Sequence, residues 1–284
     1  RSRDFTNIAR PLVSSDYVDF TMLVDQVSSV DPEVRIRFTS PHPKDFPDDL
    51  IQLIGERPNV CSNVHLPAQS GSSAVLERMR RGYTRDAYLA LVERMRLAIP
   101  DLTLSTDIIV GFCGETEEEH EMTVSLMEQV QFDMAFMFKY STREKTHAHR
   151  TMKDDVPEAV KHNRLKDVID TFYSNCEAKN QAELGKVHLV LVEGPSKRNT
   201  DELIGRSCTN KKIIFPSNKV PQRDDVLTAR EPARGDYVAV RVDGVSAQSL
   251  RGTPLMLDTM AGYYSNPIHE IIGERAHAHA TAVQ

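Results

Sequence analysis

The chain has 284 residues, 40% of them hydrophobic and 27% charged, with a formal net charge of −6. That length accommodates a large domain and a small one with a sizeable core. The apolar runs are far shorter than a bilayer span and no charged-then-apolar leader stands at the front, so no membrane segment is expected. Acidity overall argues against broad, nonspecific nucleic-acid binding.

Arg1 to Ser15 has no clear periodicity, and the chain does not start with Met, which reads as a start inside a longer protein. Asp19 to Val30 spaces apolar residues for a helix that Asp31-Pro32 ends. Arg35-Ile36-Arg37-Phe38-Thr39-Ser40 predicts a strand, and a helix follows from about Asp48 to Arg57. Cys61 to Leu66 is the next strand. It opens at Pro67 into Ala68-Gln69-Ser70-Gly71-Ser72-Ser73, a polar turn before a helix to Arg80. Such a turn exposes backbone N–H groups, an amide and hydroxyls at the carboxyl end of a strand, where α/β proteins place ligands; Ser-Gly-Ser-Ser is equally ordinary N-cap chemistry.

Thr84 caps a helix with Tyr88, Leu91, Val92 and Met95 on one face. Leu102 to Phe112 is a third strand ending in Gly111-Phe112-Cys113-Gly114-Glu115-Thr116, and Thr116-x-x-Glu119 is a capping box for a helix to Val130. Met134 to Tyr140 is a fourth. Alternating strands and helices imply parallel βαβ units, so four strand ends share one rim carrying Ser40, His42, His65, Gln69, Ser70, Gly111, Gly114, Glu115, Ser141 and Arg143, a set suited to a small charged ligand.

From Lys153 a long charged helix runs to about Leu184 as a connector. Beyond it the period becomes two, in Val187–Gly194, Leu203–Arg206, Lys212–Phe215, Asp236–Val242 and Ser249–Gly252. Short strands with Gly and Asn turns suggest a small antiparallel barrel of the OB kind, a fold that often holds oligonucleotides. Residues 183–253 carry 12 Lys plus Arg against 9 Asp plus Glu, a net of +3 within an acidic chain. Lys197, Arg198, Arg206, Lys211, Lys212 and Arg251 are the candidate basic face. The domain reading is 1–143 for the α/β part, 144–182 for the connector, 183–254 for the barrel and 255–284 for a disordered tail rich in Ala and His.

Cys61, Cys113, Cys176 and Cys208 lie at wide intervals with no CxxC or CxxxC spacing, the pattern of a reduced, intracellular protein. His147 and His149 fall on a polar loop, and His277 and His279 in the tail. No metal ligands are expected.

The strings RIRFTSPHP from Arg35, HLPAQSGSS from His65 and STDIIVGFCGET from Ser105, with VEG, IGR and SLRG turns near the carboxyl end, resemble the tRNA methylthiotransferases of the radical S-adenosylmethionine superfamily. The match runs from about Val27 to Gly252 and is greatest to the animal mitochondrial branch, whose members are described as associated with a regulatory subunit of a cyclin-dependent kinase. The resemblance implies a partial α/β barrel, the carboxyl-terminal part of a radical SAM core, followed by a TRAM domain that grips the tRNA anticodon arm. It implies transfer of a methylthio group to C2 of a modified adenosine of the N6-isopentenyl type. It also implies S-adenosylmethionine, two [4Fe-4S] clusters, and a mitochondrial or additionally cytosolic location. Ser40, His65, Gln69, Ser70, Gly111, Gly114 and Glu115 are then the cofactor-binding candidates. The family's CxxxCxxC is absent, so the cluster ligands are not expected in this chain and catalysis by it alone is not expected. A non-catalytic tRNA-binding fragment and a protein-interaction fragment binding the kinase regulatory subunit remain alternatives.

Overall fold

A computed structural model describes residues 18–39, 42–225 and 227–265. The chain divides into two compact units: the first takes the described residues up to Gln26, Phe38–Glu56 and Ser62–Cys176, and the second takes Val27–Arg37, Arg57–Cys61 and the described residues from Glu177 onward.

Two amphipathic helices come first, α1 (Phe20–Ser28) and α2 (Asp48–Glu56), the latter burying Leu50, Ile51, Leu53 and Ile54. In the first unit β1 (Asn63–His65) leads to α3 (Ser73–Arg78) and α4 (Arg85–Ala98), β2 (Thr103–Val110) to α5 (Glu117–Val130), and β3 (Met134–Lys139) to α6 (His147–Thr151). The three strands form one parallel sheet in the order β1-β2-β3, with His65 opposite Ser105 and Asp107 opposite Phe136. Strand alternation then sorts the faces. Leu104, Ile108 and Val110 are buried on one side, whereas Asp107 and Ile109 are half-buried and Phe136 and Phe138 are 49% and 51% exposed on the other. Caps define the helices as the sequence predicts: Thr84 accepts from Ala87 N–H, and Thr116 with Glu119 forms both halves of a capping box.

Over residues 35–39, the described part of the strand expected from Arg35 to Ser40, no strand forms. Ile36 makes only an isolated parallel bridge to Val60. The alternating arginines act elsewhere: Arg35 donates to the carbonyls of Arg206 (2.7 Å) and Leu189 (2.6 Å), and Arg37 donates to that of Ser207 (2.6 Å), all within the second unit. Among the described residues three strand ends, not four, therefore share the rim, and Ser40 lies outside those residues. The connector helix α7 (Glu158–Gln181) starts directly after Pro157, five residues later than expected, and α6 occupies a segment read as loop.

In the second unit β4 (Val187–Pro195), β5 (Glu202–Arg206), β6 (Lys212–Pro216), a short hairpin of β7 (Val220–Pro221) with β8 (Ala229–Arg230), β9 (Tyr237–Val245) and β10 (Leu250–Asp258) precede α8 (Met260–Ser265). Five of them close a barrel in the order β10-β6-β5-β4-β9, antiparallel except for the parallel β10–β6 seam. One parallel seam in a five-strand Greek-key barrel is OB-like. Val190, Val192, Ile213, Phe215, Val238, Val240 and Leu250 fill it. The glycines of the IGR and SLRG strings lie inside strands, not in turns: a Cβ on Gly205 would lie 2.3 Å from Leu191 O, and one on Gly252 2.2 Å from Arg241 O. The segment expected as tail contributes the end of β10 and α8, whose first N–H groups at Met260 and Ala261 meet the Glu33 carboxylate at 2.6 and 3.0 Å. Among the described residues, no helix is long and apolar enough to cross a membrane.

Candidate functional site

Proline stops β1 from continuing, and the next residues are clamped beside the central strand. Gln69 N–H donates to Asp107 O (2.8 Å), Gln69 O accepts from Ile109 N–H (2.9 Å), and Ala68 N–H donates to Thr106 Oγ1 (2.9 Å). Two tyrosines brace the same turn. Tyr88 Oη donates to Leu66 O (2.8 Å), and Tyr83 Oη lies 3.0 and 3.1 Å from the carbonyls of Pro67 and Ala68. Burial raises both phenols, that of Tyr83 to about 12, so they act as donors at neutral pH. The clamp holds Gln69 in the left-handed region at φ 64°, a conformation that costs a non-glycine residue about 1 kcal/mol or more and concentrates at functional positions.

Gln69 lines a cavity of about 590 Å³ at the carboxyl ends of the strands, within the size range of small-molecule sites. The central strand contributes Asp107 and Ile109, and β3 contributes Phe138 and Lys139. Arg78, Arg80 and Arg81 come from the end of α3, and Ser141 and Arg143 from the loop after β3. Arg80 is itself left-handed, at φ 59°. His42 also faces the cavity, its imidazole lowered by burial and by the neighbouring Arg81.

The structure brings Gln69, His42, Ser141 and Arg143 together; the other rim candidates stand apart. His65 is not among the described lining residues but sits beside one: its Nε2 is 3.6 Å from Asp107 Oδ2 and its Nδ1 is 3.0 Å from Ser105 Oγ. Ser70 is buried, its hydroxyl 3.2 Å from Thr123 Oγ1 and accepting from Ser72 N–H (3.1 Å), which ties the turn to α5. Gly111 donates to Glu115 Oε1 (2.8 Å), and Arg164 reaches the same oxygen at 3.1 Å. Burial raises the Glu115 carboxyl, while the Gly111 N–H and the Arg164 charge pull it back. Gly114 is exposed and donates to Asp155 (2.7 Å). Sequence reading missed Asp107, concealed inside an apolar string, and the Arg80-Arg81 pair, which looks like an ordinary solvated helix end.

The thiols do not converge. Cys61 and Cys208 neighbour each other in the second unit; Cys113 packs with Val75 and Phe112; Cys176 points at the carbonyls of Phe132 and Asp133. None is among the described lining residues, and no group of three or more His, Cys, Asp or Glu among the described residues is placed to hold a metal ion.

On the barrel, Lys197, Arg198 and Lys212 are exposed, with no side-chain partner among the described residues. Arg206 pairs with Glu193 (3.3 Å), Lys211 donates to Asn180 Oδ1 (2.8 Å) and Arg251 meets Glu202 (2.5 Å).

Residues 11–127 match the Radical SAM superfamily and residues 181–255 the TRAM domain. The mitochondrial tRNA methylthiotransferase CDK5RAP1 of Rattus norvegicus is 52% identical over 259 residues, covering 91% of this chain and 44% of that protein. The Homo sapiens protein of the same name is 53% identical over 241 residues, covering 85% and 40%. The tRNA-2-methylthio-N(6)-dimethylallyladenosine synthase of Pelodictyon phaeoclathratiforme is 43% identical over 239 residues, covering 84% and 51%. Among solved structures, coproporphyrinogen III oxidase from Escherichia coli, a radical SAM enzyme, is similar at TM-score 0.47 and 11% identity, over 78% of this chain and 51% of that one. This chain spans under half the length of the mitochondrial relatives it matches. With a radical SAM region followed by a TRAM domain, and about half of its aligned residues identical to such relatives, the chain belongs to the tRNA methylthiotransferase family of the radical S-adenosylmethionine superfamily.

Proposed function

We propose that the chain is the cofactor- and RNA-holding part of a mitochondrial enzyme that adds a methylthio group to C2 of an N6-dimethylallyladenosine-type base beside the tRNA anticodon. S-adenosylmethionine supplies the methyl group and the radical source in such chemistry. The observation that carries the reading is Gln69, held in a left-handed conformation and lining, with Asp107, a cavity on the strand ends. A carboxylate suits the cationic ammonium and sulfonium of S-adenosylmethionine, and a primary amide donates and accepts toward its ribose or methionyl groups. His65 is assigned a supporting part, orienting Asp107 from the neighbouring strand. Ser70, Gly111 and Glu115 are assigned the job of holding the turns that shape the cavity, and Gly114 the exposed edge.

Iron–sulfur clusters do not fit the residues described. A [4Fe-4S] cluster needs converging thiolates, and these four cysteines lie in three separate places, so the cluster ligands are assigned to the rest of the full-length protein. Lys197, Arg198 and Lys212 are the proposed tRNA contacts of the TRAM domain, with Arg206, Lys211 and Arg251 positioned by their own partners. The mitochondrial assignment follows the names of the relatives. No described residue argues for a kinase-subunit partner.

Equilibrium dialysis of the chain with S-adenosylmethionine tests the cofactor half. Gln69→Asn keeps a residue that tolerates the left-handed backbone while withdrawing the amide, and Asp107→Asn removes the charge. Each is expected to weaken binding several-fold, one neutral hydrogen bond being worth about 0.5–1.5 kcal/mol. Unchanged binding in both variants overturns the reading.

A further inference from the structure

We propose that Arg80, Arg81 and Arg143 form a phosphate clamp that holds the backbone of the RNA substrate across the cavity, a second RNA contact separate from the TRAM domain. The proposal rests on the tRNA reading above and extends it to the first unit. Seven cationic or imidazole side chains line the cavity against one carboxylate, Asp107. Two of the cations are already used: Arg78 pairs with Glu119 at 2.6 Å and Lys139 with Glu158 at 3.0 Å. Arg80, Arg81 and Arg143 have no carboxylate partner among the described residues. They also approach from opposite sides, because Arg80 and Arg81 follow the helix after β1 whereas Arg143 follows β3, with the central strand β2 between.

The cofactor does not account for this arrangement. S-adenosylmethionine carries one carboxylate against an ammonium and a sulfonium, a net charge of +1, so it offers a single anionic group to three unpaired guanidiniums and leaves the others without a counter-charge. A chain of phosphodiesters has one negative charge per nucleotide, and the planar forked guanidinium matches phosphate oxygens two at a time. Phosphate contacts of this kind set register, whereas base contacts specify. The clamp would hold the backbone on both sides while one base enters the cavity between them, as enzymes acting on a base require.

Fluorescence anisotropy of a labelled tRNA anticodon stem-loop titrated with the chain, at 50 to 200 mM salt, tests it. The triple variant R80Q/R81Q/R143Q is expected to raise Kd at least tenfold at 100 mM salt and to flatten the log K against log salt slope by about two units, since each single-strand phosphate contact contributes roughly 0.7. R80K/R81K/R143K is expected to keep most of the affinity, because lysine preserves the charge, and S-adenosylmethionine binding by equilibrium dialysis is expected to hold in all three proteins. Unaltered RNA affinity and slope in the glutamine variant overturn the clamp alone, and the effect of Gln69→Asn on cofactor binding then still stands or falls by itself. Loss of cofactor binding in the glutamine variant without loss of RNA binding also overturns it, returning the arginines to the cofactor. Absence of RNA binding by the unaltered chain overturns the clamp together with the tRNA reading.

Discussion

The stem of Lys161 occupies the space that a side chain on Gly111 would need. A Cβ built there lies 2.4 Å from Lys161 Cγ, and Gly111 has φ +73°. Lys161 is almost fully buried, with its Nζ 2.7 Å from both oxygens of Asp154 and 3.3 Å from Glu158. The glycine at the end of β2 thus makes room for a lysine of α7. Gly111→Ala is expected to cost about 2–4 kcal/mol, the sum of a left-handed alanine and an overpacked contact. Urea unfolding measures it, and Lys161→Ala in the same background should be less than additive.

Glu115 and Arg164 form a buried pair beneath the same turn, with side chains 1% and 6% exposed. Arg164→Met leaves the carboxylate without its counter-charge and is expected to cost about 3–5 kcal/mol at neutral pH. Burial already raises the Glu115 carboxyl above its usual 4.5, and loss of Arg164 raises it further. A raised carboxyl gives stability that is present at low pH and lost as pH rises through the folded value. The variant should therefore lie nearest the unaltered chain at about pH 4 and fall behind on going to pH 7, as pH-dependent melts would record.

Glu183 behaves with the opposite sign. Burial pushes it up, but hydrogen bonds from His188 (2.7 Å) and Lys186 (3.0 Å) outweigh that and hold it at about 2, against a usual 4.5. The stability it contributes is present above pH 4.5 and fades as pH drops toward 2, by at most about 3 kcal/mol from the size of the shift. Glu183→Gln should flatten the acid limb of the barrel's unfolding profile.

At the amino end of α5, Thr116 and Glu119 cap each other and Glu119 also binds Arg78 through both oxygens, at 2.9 and 2.6 Å. Thr116→Ala is expected to cost about 1 kcal/mol. Glu119→Ala should cost more, because it releases Arg78 as well as the cap. Thermal melts of both variants and of Arg78→Ala separate the two contributions.

On the barrel, Lys197→Ala with Arg198→Ala and Lys212→Ala is expected to lower anticodon stem-loop affinity and flatten the salt slope by about two units, without a change in melting temperature. Arg251→Ala, which removes the partner of Glu202, is expected to change binding less. The reverse order of effects would mean that the exposed lysines are only solvated.

Local chemistry was readable from the residues alone. Thr84, Thr116 and Glu119 declared helix starts because capping needs only neighbours along the chain. The five barrel strands declared themselves by a period of two, and the turn after His65 by its proline and small polar residues. What needed the fold was every decision between distant partners. Arg35-Ile36-Arg37-Phe38 carries the alternation of a strand, yet its backbone pairs only at Ile36, which donates to Asn59 O and accepts from Cys61 N–H, while its arginine side chains donate to carbonyls at least 154 residues away. Gly205 and Gly252 look like turn residues but are glycines because a neighbouring strand's carbonyl leaves no room for a Cβ. Asp107 sits in an apolar string, and only the pleat turns it toward a cavity while Leu104, Ile108 and Val110 face the core. Arg80 and Arg143 lie more than sixty residues apart and share a site because parallel strands bring their ends to one rim. Periodicity and capping are encoded in adjacent residues; carbonyl pairing, close backbone approach and cavity lining depend on which distant elements meet.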